Sequence, residues 1–361
     1  MSEWERAVRT VIPYVPGEQP NKQGMIKLNT NENPYPPAPG VAKVLREMDS
    51  ARLRLYPDPA ATELVEALAD RYGLSAENVF VGVGSDDVLS MSFLTFFNSD
   101  KPILFPDITY SFYDVWANLY RIPYQCQSLD ENFHIRPADY EKENGGIVLA
   151  NPNAPTGVAE ELSVIREILT ANRDSVVIVD EAYIDFGGTS AVSLIPEFDN
   201  LLVVSTFSKS RSLAGMRIGF ALAQPKLIRY LTDVKYSFNS YTMDLASIRI
   251  GTASVKDEAY FAGTVQKIIR TRERVKKSLH ELGFQFPDSR SNFIFATHPK
   301  LDAWQLFLAL RREEIYVRYF KKPRIDSYLR ITIGTDDEMD ALLAFLTKYV
   351  ANHRDRKENE Q

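Results

Sequence analysis

Lys209 stands directly behind an apolar run, Leu201–Ser205, and is bracketed by Ser208, Ser210 and Arg211, with Arg217 eight residues further on. Most lysines are solvated surface charges. One placed at the end of a buried strand among other cations loses stabilisation of its charged form, so its neutral amine becomes available for Schiff-base chemistry. Asp180 closes a second apolar run, Val176–Val179. A carboxylate there is costly without a cation or donors. A helix N-cap or a salt bridge would satisfy it, and so would the N–H of a pyridinium ring, which a carboxylate keeps protonated as an electron sink. Tyr183 follows three residues later, and Thr206, Ser208 and Arg217 supply hydroxyls and a guanidinium suited to a phosphate. A lysine for an aldehyde, an acid for a ring nitrogen and a phosphate cluster together describe a pyridoxal 5′-phosphate site.

Gly82-Val83-Gly84-Ser85-Asp86-Asp87 invites comparison with a dinucleotide-binding turn. The comparison fails, because Asp87 occupies the place of the third glycine and two acids would face a pyrophosphate. The backbone N–H groups at Ser85 and Asp86 could hold a single phosphate at a helix start. A plain helix cap by Ser85 or Asp86 is the alternative.

These residues need a scaffold that brings strand ends together. Val79–Val83, Pro102–Phe105, Ile147–Ala150, Val176–Val179 and Leu201–Ser205 read as strands, separated by helical patterns at Thr62–Tyr72, Asp87–Phe97, Ser111–Leu119 and Ser163–Thr170. The last two strands are continuously apolar, as strands covered on both faces are. The expected fold class is therefore α/β, a mainly parallel sheet sandwiched by helices, in which functional groups gather past the carboxyl ends of the strands. Residues 1–40 are proline-rich and irregular and form an N-terminal arm. Residues 41–254 form the large domain. Beyond Ser254, a charged helical stretch Lys256–Leu282 and strands at Phe293–Phe295 and Leu329–Ile333 mark a smaller α+β domain, 255–361, with a frayed tail from His353.

At 361 residues, 45% apolar and 25% charged, the chain has the composition of a folded globular protein. Its charge of −6 gives no electrostatic basis for nucleic acid or an anionic membrane as partner. One cysteine excludes an internal disulfide framework, and four histidines beside it leave little material for a zinc site. Met1–Thr10 carries Glu3, Glu5, Arg6 and Arg9 without an apolar run, unlike a secretory signal. A cytoplasmic enzyme without a metal is the expectation.

The stretches Leu28-Asn29-Thr30-Asn31-Glu32-Asn33-Pro34, Tyr56-Pro57-Asp58, Thr109-Tyr110, Pro155-Thr156-Gly157, Asp180-Glu181-Ala182-Tyr183, Ser208-Lys209, Gly215–Gly219 and Leu329–Thr335 carry a resemblance. The chain resembles the fold-type I aminotransferases of the aspartate aminotransferase superfamily, and within them the histidinol-phosphate aminotransferases, from about Tyr14 to Thr335. The resemblance implies the type I fold of pyridoxal-phosphate-dependent transferases. It implies that Lys209 joins the cofactor and moves the substrate α-proton, that Asp180 pairs with the ring nitrogen and that Tyr183 bonds the ring's 3′-oxygen. Tyr110 would stack on the ring. Ser85, Asp86, Thr206, Ser208 and Arg217 would hold the phosphate, and Tyr56 would reach a partner subunit's site in a homodimer. The family places an asparagine directly before Pro-Thr-Gly. Here that residue is Ala154, and Asn153 is expected to take over. Arg330, Arg318, Tyr14 and Asn33 match substrate-side positions. The implied reaction passes an amino group between L-glutamate/2-oxoglutarate and imidazole-acetol phosphate/L-histidinol phosphate in histidine biosynthesis. An aromatic amino-acid aminotransferase is the alternative.

Overall fold

The computed structural model describes residues 2–358, with side chains through His353. The arm contributes one short strand, β1 (Ile26–Lys27). Seven strands then build the central sheet: β2 (Val79–Gly82), β3 (Ile103–Pro106), β4 (Tyr124–Gln127), β5 (Gly146–Ala150), β6 (Val177–Asp180), β7 (Leu201–Thr206) and β8 (Gly219–Ala223). Their spatial order is β2-β8-β7-β6-β5-β3-β4. β8 pairs antiparallel with β2 and β7, and the other pairings are parallel.

The continuous apolar runs are explained by the alternation of the strands. Val177, Val179, Leu201 and Val203 face one hydrophobic core, while Ile178, Leu202 and Val204 face another on the opposite side of the sheet. Both faces are covered, so neither sets of alternating residues can be polar. The sequence pattern does not single out two strands of this sheet. β4 is an exposed, polar edge strand (Tyr124-Gln125-Cys126-Gln127). β8 is built from glycine, alanine and two larger apolar residues, and its strand state comes from being clamped between β2 and β7 rather than from propensity.

A third core lies in the C-terminal part of the chain. It is formed by the helix Glu258–Glu281, by β9 (Phe293–Thr297), β10 (Ile315–Tyr316), β11 (Arg318–Tyr319) and β12 (Tyr328–Thr332), and by the helices Ala303–Arg312 and Asp336–Glu358. The sheet order is β11-β12-β9, all antiparallel, and β1 of the arm pairs in parallel with β10, Ile26 opposite Ile315. The long helix begins later than its sequence pattern indicates. A separate helix, Leu245–Lys256, precedes it, and the carboxylate of Asp257 caps the second helix by accepting from the Tyr260 N–H. The last helix extends to Glu358, and residues 359–361, the end of the tail expected to fray, lie outside the described part of the chain. Among the described residues no helix is long and apolar enough to cross a membrane.

The junction between β8 and the helix Ser85–Phe96 is the tightest backbone contact near the strand ends. A Cβ on Gly219 would lie 2.2 Å from the Gly84 carbonyl carbon and 2.3 Å from the Ser85 nitrogen. Neither backbone atom can swing aside as a side chain would. Gly219→Ala is therefore expected to lower stability by about 1–3 kcal/mol, read as a lower denaturant midpoint with an unchanged slope. An unshifted midpoint would show that this junction gives way.

Candidate active site

The carboxyl ends of the parallel strands open into a cavity of about 430 Å³. Asp180, last residue of β6, pairs in register with Ala150 of β5 and Val204 of β7. The chain leaving β7 turns at Thr206, whose hydroxyl accepts from the Ser208 N–H at 3.1 Å and donates to the Ile218 carbonyl at 3.2 Å. That turn delivers Lys209 to the cavity beside Asp180. Nine residues singled out in the sequence line this one space: Ser85, Asp86, Tyr110, Asp180, Tyr183, Thr206, Ser208, Lys209 and Arg217. A larger, more open cleft of about 790 Å³, bordered by His134, Glu160 and Arg290, holds none of them.

Asp180 is 5% exposed. The buried phenol of Tyr113 donates to its Oδ2 at 2.8 Å and the Ala182 N–H to its Oδ1 at 3.2 Å. Burial raises the carboxyl pKa to about 6 from 3.8, against the lowering effect of those two donors. Lys209 Nζ donates to the Thr30 carbonyl at 3.0 Å and lies 5.8 Å from the Tyr183 ring centroid. The Tyr183 oxygen accepts from Asn31 Nδ2 at 2.9 Å.

At the far wall, no side chain caps the helix Ser85–Phe96. Its cap residue is Gly84, with φ +88°, which corrects the expectation of a Ser85 or Asp86 cap and leaves the first backbone N–H groups facing the cavity. The Asp87 carboxylate instead accepts from the Val83 N–H at 2.9 Å. Arg217 approaches Ser208 Oγ at 3.4 Å and Asp86 at 3.4 Å, and the Tyr110 hydroxyl donates to Asp86 at 2.8 Å. A Cβ on Gly84 would fall 2.5 Å from the Arg217 guanidinium, so the glycine is what lets that cation approach the helix start.

An adjoining cavity of about 560 Å³ shares Tyr110 and Ala154 with the first and is lined by Tyr14, Arg318 and Arg330. Arg318 of β11 and Arg330 of β12 are direct partners across the antiparallel pair. Like charges in that register repel. Burial, with a further contribution from Arg318, pushes the Arg330 pKa down, and its Nε is buried without a hydrogen-bond partner. Among the described residues neither arginine forms an ion pair; Arg330 donates to the Asn29 carbonyl at 3.0 Å and both guanidiniums lie over the Phe320 ring. Two guanidinium forks with no carboxylate paired to either suit an anion, and the one acid of this lining, Asp107, is engaged by Arg324. Tyr14 stacks on Phe112 at 4.0 Å.

Two expected site residues line neither cavity, and Tyr56, expected at a partner subunit's site, faces outward. Asn153 does not line the cavity: its amide donates to the Ile108 carbonyl and Thr156 Oγ1 and accepts from Thr109, while Ala154 faces the open space. Asn33 donates to the backbone carbonyls of Lys209 and Ser210 at 3.1 and 3.2 Å, so it fixes the lysine's main chain instead of facing a substrate. Tyr56 is 81% exposed, stacked on Tyr241 and away from this chain's cavity. Gln19, Thr30 and Glu32 line the cavity unannounced by the sequence pattern. They lie on irregular backbone, where no periodicity reports which way a side chain turns.

The raised Asp180 value has a sign that can be measured. Unfolded, the carboxyl titrates near 3.8; folded, near 6. Between these values the folded chain binds more protons, so its stability falls as pH rises through the interval and is level above it. In protein free of cofactor, the stability advantage of Asp180→Asn over the parent should widen between about pH 4 and about pH 7 by roughly 2 kcal/mol, each unit of pKa shift being about 1.4 kcal/mol. Glu181, raised mainly by burial, is common to both proteins, and Asp180 is only the smallest contributor to its shift, so it largely cancels in the comparison. Denaturant titrations at the two pH values check this, and a constant difference would contradict it.

Residues 23–346 match the family described as aminotransferase class I and II. A histidinol-phosphate aminotransferase of Lactococcus lactis subsp. cremoris is 54% identical over 349 residues, covering 97% of this chain and 98% of that protein. Histidinol-phosphate aminotransferase 2 of Dechloromonas aromatica is 54% identical over 343 residues, covering 94% and 96%. The crystal structure of histidinol-phosphate aminotransferase from Sinorhizobium meliloti, in complex with pyridoxal 5′-phosphate, superposes with a TM-score of 0.82 at 22% identity, covering 91% of each chain. That likeness is one of fold. By its match over residues 23–346 and its 54% identity to full-length relatives, the chain belongs to the class I and II aminotransferases.

Proposed function

We propose that the protein is a pyridoxal 5′-phosphate-dependent transaminase that passes the amino group of L-glutamate to imidazole-acetol phosphate, giving 2-oxoglutarate and L-histidinol phosphate, a step of histidine biosynthesis. The observation that carries the substrate side is the pairing of Arg318 with Arg330 beside the lysine-bearing cavity. Two unneutralised guanidiniums suit a phosphate dianion, and either suits the carboxylate of the oxo acid in the other half-reaction. The aromatic alternative is not favoured, since it would leave one of them without an anion. The extent and identity of the match to the Lactococcus lactis relative support the same reading.

The residues present fit the cofactor. A buried acid with one face open to the cavity suits a ring N–H, a cavity-facing phenol suits a ring oxygen, and a helix start with Ser208 and Arg217 suits a phosphate. When bound, pyridoxal phosphate supplies an aldehyde that takes up amino groups and a ring that draws electrons from the substrate α-carbon. Asp180 holds the ring nitrogen protonated. Lys209 Nζ, steered by the Thr30 carbonyl and by Asn33 on its main chain, takes the proton from the substrate α-carbon and returns it in the reverse half-reaction. Tyr110 would cover the ring face. Ser85, Asp86, Thr206, Ser208 and Arg217 would hold the phosphate, and Tyr183 the 3′-oxygen. Tyr14 closes the substrate side from the arm.

The same reading places the protein in the cytoplasm as a homodimer. Support comes from exposed Tyr56 beside Tyr241, with Leu53, Leu55 and Phe238 also exposed. Tyr56 would complete the site of the partner subunit. It also divides the chain into arm (1–40), large domain (41–254) and small domain (255–361), the arm joined to the last by the β1–β10 pairing.

Lys209→Ala should lower kcat by at least roughly 10³-fold, and borohydride should fix cofactor to the Lys209 peptide of the parent but not of the variant. Normal turnover in the variant would refute the mechanism. Arg318→Gln should raise KM for the phosphate substrate by about 10- to 100-fold and leave KM for glutamate less affected. Assays with imidazole-acetol phosphate and phenylpyruvate as competing acceptors test the substrate assignment, which fails if phenylpyruvate is preferred.

A further inference from the structure

Asn31 is outside the cavity lining and takes no part in the chemistry above, yet it is 1% exposed and held in the left-handed region, φ +58°. Four hydrogen bonds fix it. Its backbone N–H donates to Thr332 Oγ1 at 3.1 Å, the Thr332 hydroxyl donates to its Oδ1 at 3.0 Å, Asn292 Nδ2 donates to its carbonyl at 3.0 Å, and its own Nδ2 donates to the Tyr183 oxygen at 2.9 Å.

The directions of these bonds follow from one another. Thr332 Oγ1 accepts from a backbone N–H, which leaves its proton for the amide and requires Oδ1 on that side. Nδ2 must then face Tyr183. The reversed amide would set a second donor against Thr332 and take the acceptor from its proton. The Tyr183 oxygen accepts from Asn31, so its proton is directed away from Asn31, and the residue lines the cavity. Thr332 lies two residues beyond Arg330 on β12, so the strand carrying the anion-binding arginine also sets the polarity of this phenol.

We propose that Asn31, fixed by Thr332, is a positioning residue that commits the Tyr183 hydroxyl to donate toward an anionic ring oxygen in the cavity. This rests on the reading that Tyr183 meets the cofactor's 3′-oxygen. A committed donor makes that oxygen less basic. Removing the commitment raises the pH at which the cofactor's visible absorbance changes and weakens cofactor binding. The other titratable groups facing this cavity are Lys209, Asp180, Tyr110, Glu32, Asp86 and Arg217, with Tyr113 and Arg330 behind them, and no variant below alters them.

The test uses holoenzyme and two readouts, the pH midpoint of the visible band and the cofactor dissociation constant. Thr332→Val keeps the shape of a buried residue and removes the relay hydroxyl; Thr332→Ser restores it. Asn31→Gly removes the amide where a glycine fits the backbone. Thr332→Val and Asn31→Gly should each shift the acid constant of the band and the dissociation constant by roughly three- to ten-fold, in the direction given by Tyr183→Phe. Thr332→Ser should match the parent. Added to Tyr183→Phe, neither change should shift the midpoint further, because the phenol they act through is gone. If Tyr183→Phe moves both readouts while Thr332→Val and Asn31→Gly leave them at parent values, or if their full effects persist in the Tyr183→Phe background, the positioning role is overturned. If Tyr183→Phe itself moves neither, the assignment of Tyr183 to the ring oxygen fails and takes this inference with it.

Discussion

Two carboxylates in succession, Asp180 and Glu181, end a strand buried on both faces, and the way each is satisfied shapes the site. Burial raises both, Asp180 to about 6 and Glu181 to about 8. Glu181 is met by Ser190 Oγ and the Ala191 N–H, each at 2.6 Å, and closes onto the protein. Asp180 receives one phenol and one longer backbone contact and opens onto the cavity. Strand alternation sends the two side chains to opposite sides. One acid thus anchors a loop, while its neighbour carries an unmet demand for a positive partner. A cation delivered by a ligand meets that demand where a protein cation would have filled the space.

The arginine pair carries the opposite imbalance. Arg318 and Arg330 face each other across β11 and β12 with aromatic faces beneath them rather than carboxylates. The stacking on Phe293 and Phe320 holds the guanidiniums without neutralising them. An excess acid on the central sheet and excess cations on the small sheet meet at Tyr110 and Ala154, where the two cavities join. A ligand bridging them needs a cationic or donor end and an anionic end. The arm is the third component: it pairs with β10, supplies the Thr30 carbonyl to Lys209 and carries Asn31 to Tyr183.

Much of this was legible in the sequence because strand ends are legible. A continuous apolar run followed at once by Asp180 or by Ser208-Lys209 reports both burial and the place where burial stops, and most of the polar residues found by that rule line one cavity. The errors cluster on asparagines. Asn33 and Asn153 resemble ligand contacts in their motifs, but a short amide on irregular backbone bonds nearby carbonyls as readily as a ligand. Asn33 takes those of Lys209 and Ser210, and Asn153 that of Ile108. Tyr113 left no mark because its phenol approaches Asp180 from a helix whose pattern reads as core. β8 was hidden for a different reason: Gly219 at its start is there to let Gly84 and Ser85 approach, a demand set by the neighbouring backbone.

The substitution at Ala154 acquires its meaning from that geometry. In the family the chain resembles, an asparagine before Pro-Thr-Gly shares the ring oxygen with a tyrosine. Here the methyl of Ala154 faces the cavity, and the amide of Asn153 is engaged behind it by Thr109, Thr156 and the Ile108 carbonyl. A backbone shift bringing Asn153 forward would leave the buried Ile108 carbonyl without its donor, at a cost of about 1–3 kcal/mol. On the proposed placement of the cofactor, the oxygen would be left to Tyr183. A hydroxyl can rotate, and one that serves alone gains most from having its proton direction fixed. The triplet of Thr332, Asn31 and Tyr183 does this with neutral groups, adding no charge beside Lys209. Loss of one donor at Ala154 and the fixing of the other by Asn31 are compatible features of one hydrogen-bonding arrangement.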